Sequence, residues 1–364
     1  MKFSLSWLKA HLDTDWPAEE IAEKLTAIGL EVEELGNPAE ALAPFKVARV
    51  LSADRHPQAD KLQVLSIDAG DGPVQVVCGA PNARAGMLGV FGPPGAYIPG
   101  SDMTLKVAAI RGVESRGMMC SVRELRLGDE HEGIIELPAD APVGMDYAAY
   151  AGLDDVVFDV AITPDRQDCM GVRGIARDLA AAGAGSLKPL SIPSIEGSFE
   201  CPVPIAIDDP AGCPAFFGRA VTGLTNGPSP NWMQQRLKAA GQRPISALVD
   251  ITNYVMLDHG RPAHAYDIAQ LKGGLTARAA KPGETVTALN EKEYALEPSM
   301  TVIADEKQVH DIGGIMGGEH SGVTEDTSET LLEIAYFDPE RIARTGQKLG
   351  LTSDARSRFE RGVD

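Results

Sequence analysis

Two isolated side chains in the C-terminal half of the sequence are suited to acid–base or hydrogen-bonding chemistry. Glu333 stands in the apolar run Leu331–Phe337, where a carboxylate would be a buried hydrogen-bond acceptor. His264 stands in the segment Gly260–Asp267, and a histidine can exchange a proton near neutral pH. Glu333 could instead alternate outward on an exposed strand, and a lone histidine is more often a structural hydrogen-bonding group. The residues alone leave both interpretations open.

A glycine cluster and a polar segment add further candidates for ligand contact. Without β-carbons, glycines let the backbone approach a ligand closely, although a tight turn between strands is the alternative. Arg243 could hold an anion, and Thr252 with Asn253 could fix a water; an ordinary salt bridge and a turn cap are the simpler interpretations. The candidate loop comprises Gly314, Ile315, Met316, Gly317 and Gly318.

Residues 106–126 are basic in an otherwise acidic chain. The whole sequence has 52 acidic and 33 basic side chains and a formal charge of -19, which argues against a protein that coats nucleic acid non-specifically. Any nucleic-acid site must therefore be a local patch. Five basic side chains against two acidic ones give this stretch a local charge of +3, and a solvated strand edge kept basic against aggregation is the alternative. The basic residues are Lys106, Arg111, Arg116, Arg123 and Arg126.

Apolar spacing predicts helices at the start of the chain and a β-rich segment after them. Leu5, Leu8 and Leu12 share one helical face, and a second helix begins after Pro17 and ends near Gly29. From Phe45 to about Val143, short β-rich runs separated by Gly, Pro and Asn predict a small β-barrel. Those runs are residues 45–50, 62–67, 74–77 and 105–110.

Helical and mixed patterns resume after the barrel. Residues 156–162 predict a strand and residues 172–179 a helix, as if the barrel were inserted in an α+β domain. Residues 183–198 are rich in Gly, Ser, Pro and Ala, which is typical of a linker. A third unit begins near Phe199, and Ser229-Pro230 predicts the start of a helix within it.

Composition excludes several classes of protein. A length of 364 residues predicts two or three domains, and 44% hydrophobic with 23% charged residues excludes a disordered chain. No apolar run approaches the ~20 residues of a membrane helix, and Met1–Trp16 lacks the hydrophobic stretch of a signal peptide, so we expect a cytoplasmic location and no membrane contact. The five cysteines are too scattered for a zinc pair or a disulfide framework, which predicts reduced, mostly buried thiols.

Long motifs resemble one known family over essentially the whole chain. In the barrel segment, three motifs in a fixed order resemble a tRNA-binding module with an oligonucleotide-binding (OB) fold: His56–Leu62, Cys78–Asn82 and Ile110–Cys120. The flanking motifs resemble the bacterial phenylalanyl-tRNA synthetase β chain. They are Ser4–Leu8, Ile162–Arg177, Arg243–Met256, Gly260–Asp267 and Ser353–Asp364.

The resemblance implies a multidomain α+β fold. An OB β-barrel at residues 39–148 would be inserted in a small α+β domain, B1, formed by residues 1–38 and 149–190. After the linker at 183–198, residues 199–364 would form a mixed α/β B3/B4 editing domain. Because the family's β chain is far longer, we expect this chain to be an N-terminal fragment truncated within its last motif.

The resemblance also implies a division of labour. The full enzyme attaches phenylalanine to tRNA(Phe) with ATP and Mg²⁺ on the α subunit of an α2β2 assembly, whereas the third unit of β hydrolyses tRNA mischarged with tyrosine. The expected partners are the α subunit and tRNA(Phe), and we expect no cofactor and no metal site in this fragment. A non-catalytic tRNA-binding or assembly module is the alternative, and it would not need the residues between Arg243 and Glu333. The barrel could also bind a ligand other than tRNA.

Site residues follow from the matching motifs. Glu333 matches the position that reads the tyrosyl hydroxyl, and His264 matches the editing-site histidine, which could orient the ester or its attacking water. Thr252 and Asn253 would complete the catalytic group. No Ser/His/Asp or Cys/His arrangement is legible around this set, so we expect a positioned water rather than a covalent intermediate.

Substrate contacts and tRNA contacts are expected at further positions. Ala355 matches the small residue that makes room for the substrate ring, Ser353 stands where many members carry threonine, and Ser246 where asparagine is usual. Arg243 and the glycine loop would line the same site. The expected tRNA-binding residues of the barrel are Lys106, Arg111, Ser115, Arg116 and Met118.

Overall fold

The chain divides into two structural units. The computed structural model describes residues 1–128 and 132–363. The first unit combines Met1–Leu35 with Val157–Asp364, and the second is Gly36–Val156. In sequence, the second unit is therefore inserted between the two parts of the first. Asp364, the end of the predicted third unit, lies outside the described residues.

Helices occur in both units. Short 3-10 turns occupy Gln167–Cys169, Ile268–Gln270 and Glu319–Ser321. The α-helices of the described residues are α1 (Leu5–His11), α2 (Ala18–Ala27), α3 (Pro38–Leu42), α4 (Tyr147–Tyr150), α5 (Val172–Ala181), α6 (Asn231–Ala239), α7 (Ala247–His259), α8 (Pro339–Leu349) and α9 (Asp354–Phe359).

Most strands are short. They are β1 (Lys2–Ser4), β2 (Leu12–Asp13), β3 (Val32–Gly36), β4 (Lys46–Arg55), β5 (Gln63–Asp68), β6 (Pro73–Cys78), β7 (Leu88–Gly92), β8 (Tyr97–Ile98), β9 (Met103–Thr104), β10 (Ala108–Ile110), β11 (Val113–Ser115), β12 (Met118–Met119), β13 (Val157–Val160), β14 (Ser186–Leu187), β15 (Ile205–Ile207), β16 (Ala215–Thr222), β17 (His264–Asp267), β18 (Leu275–Ala279), β19 (Thr285–Thr287), β20 (Glu293–Ala295), β21 (Thr301–Ala304), β22 (Val309–Ile312), β23 (Met316–Gly317) and β24 (Glu329–Tyr336).

The first unit opens with a three-stranded sheet in the order β1-β13-β3 and with the predicted helices. Ser4 caps α1, since its Oγ accepts a hydrogen bond from the Trp7 N–H at 3.4 Å. Gly29, at φ +89°, follows the end of α2, where a left-handed conformation favours glycine. The predicted helix at 172–179 is α5, and its apolar side chains Val172, Ile175 and Leu179 are buried.

The C-terminal part of the first unit contains two larger sheets, in the orders β15-β18-β21-β22-β23 and β16-β24-β17. Between and around their strands lies one apolar core that includes Phe216, Val302 and Leu331. The helix predicted after Ser229-Pro230 is α6. The polar segment that contains Thr252 and Asn253 lies inside α7, which ends at Gly260 with φ +72°.

The second unit confirms the predicted barrel, with one error in its strands. Its main sheet has the order β12-β7-β4-β5-β6. The Arg116 N–H donates to the Gln75 carbonyl at 2.9 Å, so the chain between β11 and β12 reaches β6 and nearly closes the barrel. The run 105–110 was predicted as a barrel strand, but only Ala108–Ile110 is a strand, exposed and paired in a hairpin with β11.

The correct strand in its place is β7, which is buried along its whole length. Its two glycines make it look like a loop in sequence, whereas the aliphatic run 105–110 looks like a strand. Gly89 and Gly92 are needed there, because a β-carbon at either position would lie 2.8 Å from a neighbouring atom. The segment that forms a strand of the main sheet is thus the buried β7 and not the run 105–110, although the latter has the higher β-propensity in sequence.

The segment predicted as a linker is ordered where it begins. Ser186–Leu187 pairs with β2, and the Lys188 N–H donates to the His11 carbonyl at 2.7 Å. Residues 189–200 are exposed. Among the described residues, no helix combines the length and apolar character that crossing a bilayer requires. The thiols are free: Cys201 is exposed, and the buried ones are Cys78, Cys120, Cys169 and Cys213.

Candidate functional site

A cavity of about 360 Å³ in the first unit brings most of the predicted site residues together. Its walls come from α7, β17, β24, α9 and the loop between β22 and β23. That volume is typical of a small-ligand pocket. The predicted residues that line it are Thr252, Asn253, His264, Gly314, Ile315, Met316, Gly317, Glu333, Ser353 and Ala355.

Strand register brings His264 and Glu333 together. β17 and β24 are antiparallel neighbours, and His264 is directly opposite Glu333 in their ladder. Directly opposite residues share one face of a sheet with their Cβ atoms about 5 Å apart. Glu333 is buried, whereas Ile334, the next residue on β24, is exposed. The carboxyl group therefore points into the protein, and the outward-facing alternative for Glu333 is wrong.

Two buried residues that the sequence analysis did not single out connect this pair. The hydroxyl of Tyr266 donates to Asp311 Oδ2 and lies 3.3 Å from Glu333 Oε2. Asp311 Oδ1 accepts the Gly318 N–H at 2.9 Å and lies 3.8 Å from His264 Nε2. Tyr266 follows His264 by two residues on one strand, so the alternation of β17 could have revealed it.

Burial and charge make Glu333 a weak acid. Burial raises the pKa of its carboxyl to about 8, and the negative charge of Asp311 acts in the same direction. The charge of Arg261 lowers the pKa, but by less. Burial also raises the pKa of the Tyr266 hydroxyl, again together with Asp311. Burial therefore favours the neutral, protonated forms of both Glu333 and Tyr266.

The glycine loop is shaped by close backbone packing. Gly314 has φ +70°, a conformation that side-chain-bearing residues rarely adopt. A β-carbon on Gly317 would lie 2.5 Å from His264 Cε1, and one on Gly318 would lie 1.9 Å from the carbonyl oxygen of His310. The absence of a side chain at Gly317 thus makes room for the imidazole at the cavity wall.

Hydroxyl groups at the cavity wall are engaged with the backbone. Ser353 Oγ donates to the Ile315 carbonyl at 2.6 Å and accepts the Arg356 N–H at 3.0 Å, so it both caps α9 and ties α9 to the glycine loop. Thr252 Oγ1 donates to the Val249 carbonyl at 2.8 Å within α7. Each hydroxyl proton is already used, which argues against either residue as an activated nucleophile.

Two predicted residues do not line the cavity. Arg243 is exposed on the segment that precedes α7 and is not part of the cavity wall. The structure therefore gives no support to a role for Arg243 in substrate binding. Gly318 lies behind the wall, where its N–H donates to Asp311.

In the barrel, the expected tRNA-contacting residues divide into exposed and buried positions. Lys106, Arg111 and Arg116 are exposed, and Arg116 Nε lies 2.7 Å from Glu114 Oε1. Met118 is half-buried on β12. Ser115 is buried at 3% exposure, and its Oγ accepts the Val77 N–H and donates to the Gly117 carbonyl, both at 3.0 Å, so this conformation gives no support to a tRNA contact by its side chain.

Comparison with known proteins yields two domain families and a set of close relatives. A model described as "B3/4 domain" matches residues 212–364, and one described as "Putative tRNA binding domain" matches residues 45–146. Proteins named phenylalanine–tRNA ligase β subunit from Novosphingobium aromaticivorans, Zymomonas mobilis and Brucella suis are 67%, 63% and 61% identical over 100% of this chain. The chain belongs to the phenylalanine–tRNA ligase β-subunit family. It spans 46% of the length of each of these relatives.

Solved structures give a weaker likeness. An N-terminal fragment of the phenylalanyl-tRNA synthetase β subunit from Pyrococcus horikoshii matches with a TM-score of 0.32 and 16% identity over 50% of this chain and 56% of that chain. At that score the likeness carries no argument. Membership of the phenylalanine–tRNA ligase β-subunit family rests on the sequence relatives, and every residue that lines the cavity lies within the B3/4 match.

Outside the B3/4 match, the described residues contain one group of potential metal ligands: Asp168, Cys169 and Asp178. Guanidinium groups already occupy the carboxylates. Arg166 donates to both aspartates, and Arg177 Nη2 donates to Asp168 Oδ2 at 2.6 Å. The group is accordingly an ion-pair cluster between the turn Gln167–Cys169 and α5.

Proposed function

We propose that the cavity hydrolyses the ester bond of tyrosyl-tRNA(Phe) and that the barrel contacts the tRNA. The observation that carries the proposal is the direct pairing of His264 with a buried Glu333 at the wall of the cavity. In this arrangement Glu333 can bind a polar group of the ligand, and His264 can position the reacting ester or its attacking water. The alternative of a module that only binds tRNA would not need this pair.

The whole protein would then be the β subunit of phenylalanine–tRNA ligase. In that proposal the complete enzyme attaches phenylalanine to tRNA(Phe), with ATP and Mg²⁺ used on the α subunit of an α2β2 assembly in the cytoplasm. The names of the relatives support it, and this chain spans 46% of their length. This chain would contribute tRNA binding and removal of the wrong amino acid.

Discrimination between tyrosine and phenylalanine follows from the buried carboxyl. A tyrosyl ring would give Glu333 a hydrogen-bonding partner in the cavity, whereas a phenylalanyl ring would leave the buried carboxyl without that partner. A site that is built to bind a hydroxyl can reject the analogue without it by ~10⁴–10⁵. Phenylalanyl-tRNA would therefore escape hydrolysis.

A bound water is the proposed nucleophile. The hydroxyls of Ser353 and Thr252 donate to backbone carbonyls, so neither is activated by a base. His264 Nε2 is buried and has no hydrogen-bonding partner, which leaves it available to a ligand or a water. We assign it the positioning of that water or of the ester, and Thr252 and Asn253 the binding of the aminoacyl end.

The direct test is deacylation of Tyr-tRNA(Phe) by this chain. We expect hydrolysis by the unmodified chain and a loss of ten-fold or more in Glu333→Ala and in His264→Ala, the usual size for removal of a positioned acid–base group. Two matched controls are Glu329→Ala on β24, the strand that carries Glu333, and His320→Ala in the 3-10 turn Glu319–Ser321. Both residues are exposed. Equal rates in all five proteins would refute the proposed site.

A further inference from the structure

Asp311 is a buried carboxylate that contacts several residues of the cavity, and the proposed function assigns it no role. It is 4% exposed, and its two oxygens contact three different parts of the site. One oxygen accepts the Gly318 N–H at 2.9 Å and lies 3.8 Å from His264 Nε2, and the other accepts the hydroxyl proton of Tyr266. A single carboxylate thus contacts the glycine loop, the histidine and the tyrosine.

The hydroxyl of Tyr266 has one proton and two carboxyl neighbours. Asp311 is the nearer, and Glu333 Oε2 lies 3.3 Å from the same hydroxyl oxygen. The proton therefore belongs to the bond with Asp311. The contact with Glu333 is then favourable only if Glu333 is itself protonated and donates to Tyr266 Oη, because two proton-free oxygens in a buried site repel each other.

We propose that Asp311 is a positioning residue of this site: by accepting the Tyr266 proton it keeps Glu333 as the protonated carboxyl. One oxygen of Glu333 then donates to Tyr266, and the other faces the cavity as the acceptor for a hydroxyl-bearing ligand. The nature of that ligand, a tyrosyl ester, rests on the proposed function. The protonation of Glu333 does not.

A neutral Glu333 explains how the site can bind an aromatic ring. A second negative charge beside Asp311 would be costly to bury without a cation in contact. A protonated carboxyl can still accept a hydrogen bond from a phenol, and it adds no charge to an otherwise apolar pocket. The titratable and charged groups that face Glu333 are Asp311 on β22, Tyr266 and His264 on β17, Arg261 before β17, and Cys213 before β16.

Infrared titration of the ligand-free chain tests the protonation directly. The band of a protonated carboxylic acid, assigned to Glu333 by its loss in Glu333→Gln, should persist at pH 7 in the unmodified chain. In Asp311→Asn the repulsion from the neighbouring charge is gone, and we expect the band to disappear at a pH lower by about one unit or more. If the asparagine variant does not fold, as judged by circular dichroism, Asp311→Ser carries the same expectation.

Asp267→Asn is the matched control. Asp267 is a buried carboxylate of β17 that accepts from Thr327 Oγ1 at 2.8 Å and does not line the cavity. Its variant should titrate like the unmodified chain. Absence of the Glu333 band at pH 7 in the unmodified chain, or identical titrations of the Asp311 and Asp267 variants, would overturn the proposal.

Deacylation kinetics then show whether the positioning matters for the ligand. The pH profile for Tyr-tRNA(Phe) should shift in Asp311→Asn by the same amount as the infrared titration, whereas a purely structural defect would lower the rate at every pH alike. Because the infrared experiment needs no ligand, its failure and a failure of the proposed hydrolysis are separate results.

Discussion

Glu333 holds a proton in the folded chain that it would lose in the unfolded chain. Burial raises its pKa from the ordinary value of 4.5 to about 8. Between these two pH values the folded chain therefore binds one proton more than the unfolded chain. Stability therefore falls as the pH rises from about 4.5 to 8, because ionisation of Glu333 increasingly favours the unfolded chain while the folded chain keeps its proton. The residue that we propose for ligand recognition is thus expected to weaken the fold at neutral and alkaline pH.

We expect Glu333→Gln to remove this pH dependence. The amide keeps the shape and cannot ionise, so the variant should lose less stability than the unmodified chain between pH 5 and pH 9. Chemical denaturation across that range measures it. Glu329→Gln, an exposed position on the same strand, is the control and should follow the unmodified chain. Parallel stability curves for the two variants would contradict the assignment of the proton to Glu333.

Gly317→Ala should disturb the histidine. The new methyl group would lie 2.5 Å from His264 Cε1, and overpacking of this kind costs about 1–3 kcal/mol in the free energy of unfolding. We expect Tyr-tRNA(Phe) deacylation to fall further than stability alone explains. Gly227→Ala, where a β-carbon would have no neighbour within 4 Å, is the matched control. Full activity in Gly317→Ala would exclude a positional requirement on His264.

Sequence reasoning singled out Glu333 and His264, which line one cavity, but not the residues that contact them. Glu333 and His264 were recognisable from an apolar context and from motifs that resemble a family. Tyr266 and Asp311 are coupled to them only through the register of β17 with β24 and through the fold of β22, which are long-range features. Arg243 was assigned from its motif, and the structure places it outside the cavity wall, so its role stays a prediction.

At the scale of elements, α7 connects the cavity to the start of the chain. It carries Thr252 at the cavity, and its Tyr254 ring stacks on Trp7 of α1 with centroids 5.1 Å apart. Further along, Asp258 accepts hydrogen bonds from Trp7 Nε1 and pairs with His11 Nε2, both at 2.6 Å. Burial alone would raise the pKa of Asp258, but His11 and Trp7 lower it overall. The first helix thus supports one wall of the cavity.

Asp258→Asn should loosen this support. The substitution exchanges charge-assisted hydrogen bonds for neutral ones, which we expect to lower the free energy of unfolding by about 2–3 kcal/mol at pH 7. Because the pKa is lowered in the fold, that contribution is present above the ordinary pKa of 3.8 and disappears in more acidic solution. Denaturation at pH 7 and at pH 3 measures both. Asp13→Asn, at an exposed position of β2, serves as the control and should have little effect.

Elements with clear amphipathic spacing were predictable, and those selected by burial were not. α1, α2, α5 and α6 follow from apolar spacing with Ser, Pro and Gly signals at their ends. In the barrel, β7 contains two glycines and lies in the sheet, whereas the aliphatic run 105–110 does not. Local β-propensity does not show which of these two segments is buried by long-range contacts in the folded barrel.

For the molecule as a whole, the charge of -19 would limit how the barrel could bind tRNA in the proposed function. The acidic remainder repels phosphates at a distance, so binding must depend on short-range contacts with a few cations. Lys106 and Arg111 are exposed in the barrel and are candidates for those contacts.

We expect tRNA affinity to fall steeply with salt. Each phosphate neutralised contributes about -0.7 to -0.9 to the slope of log K against log salt concentration. Lys106→Ala with Arg111→Ala should weaken binding and flatten the slope by about one to two, as measured by filter binding across a salt series. Lys307→Ala, an exposed lysine of the first unit, should leave the slope unchanged. A salt-independent affinity would refute phosphate contacts by the barrel.

The three-stranded sheet of the first unit also constrains how the chain folds during synthesis. Its central strand β13 is made after Gly36–Val156, whereas β1 and β3, the strands on either side of it, are made before. At about 5–20 residues per second, translation of that insertion takes on the order of ten seconds. The nascent Met1–Leu35 segment therefore leaves the ribosome before β13, the strand that pairs with both β1 and β3, has been made. During that interval Phe3, Trp7 and Leu8, which are buried in the folded chain, lack part of the structure that covers them, and the barrel has time to fold first.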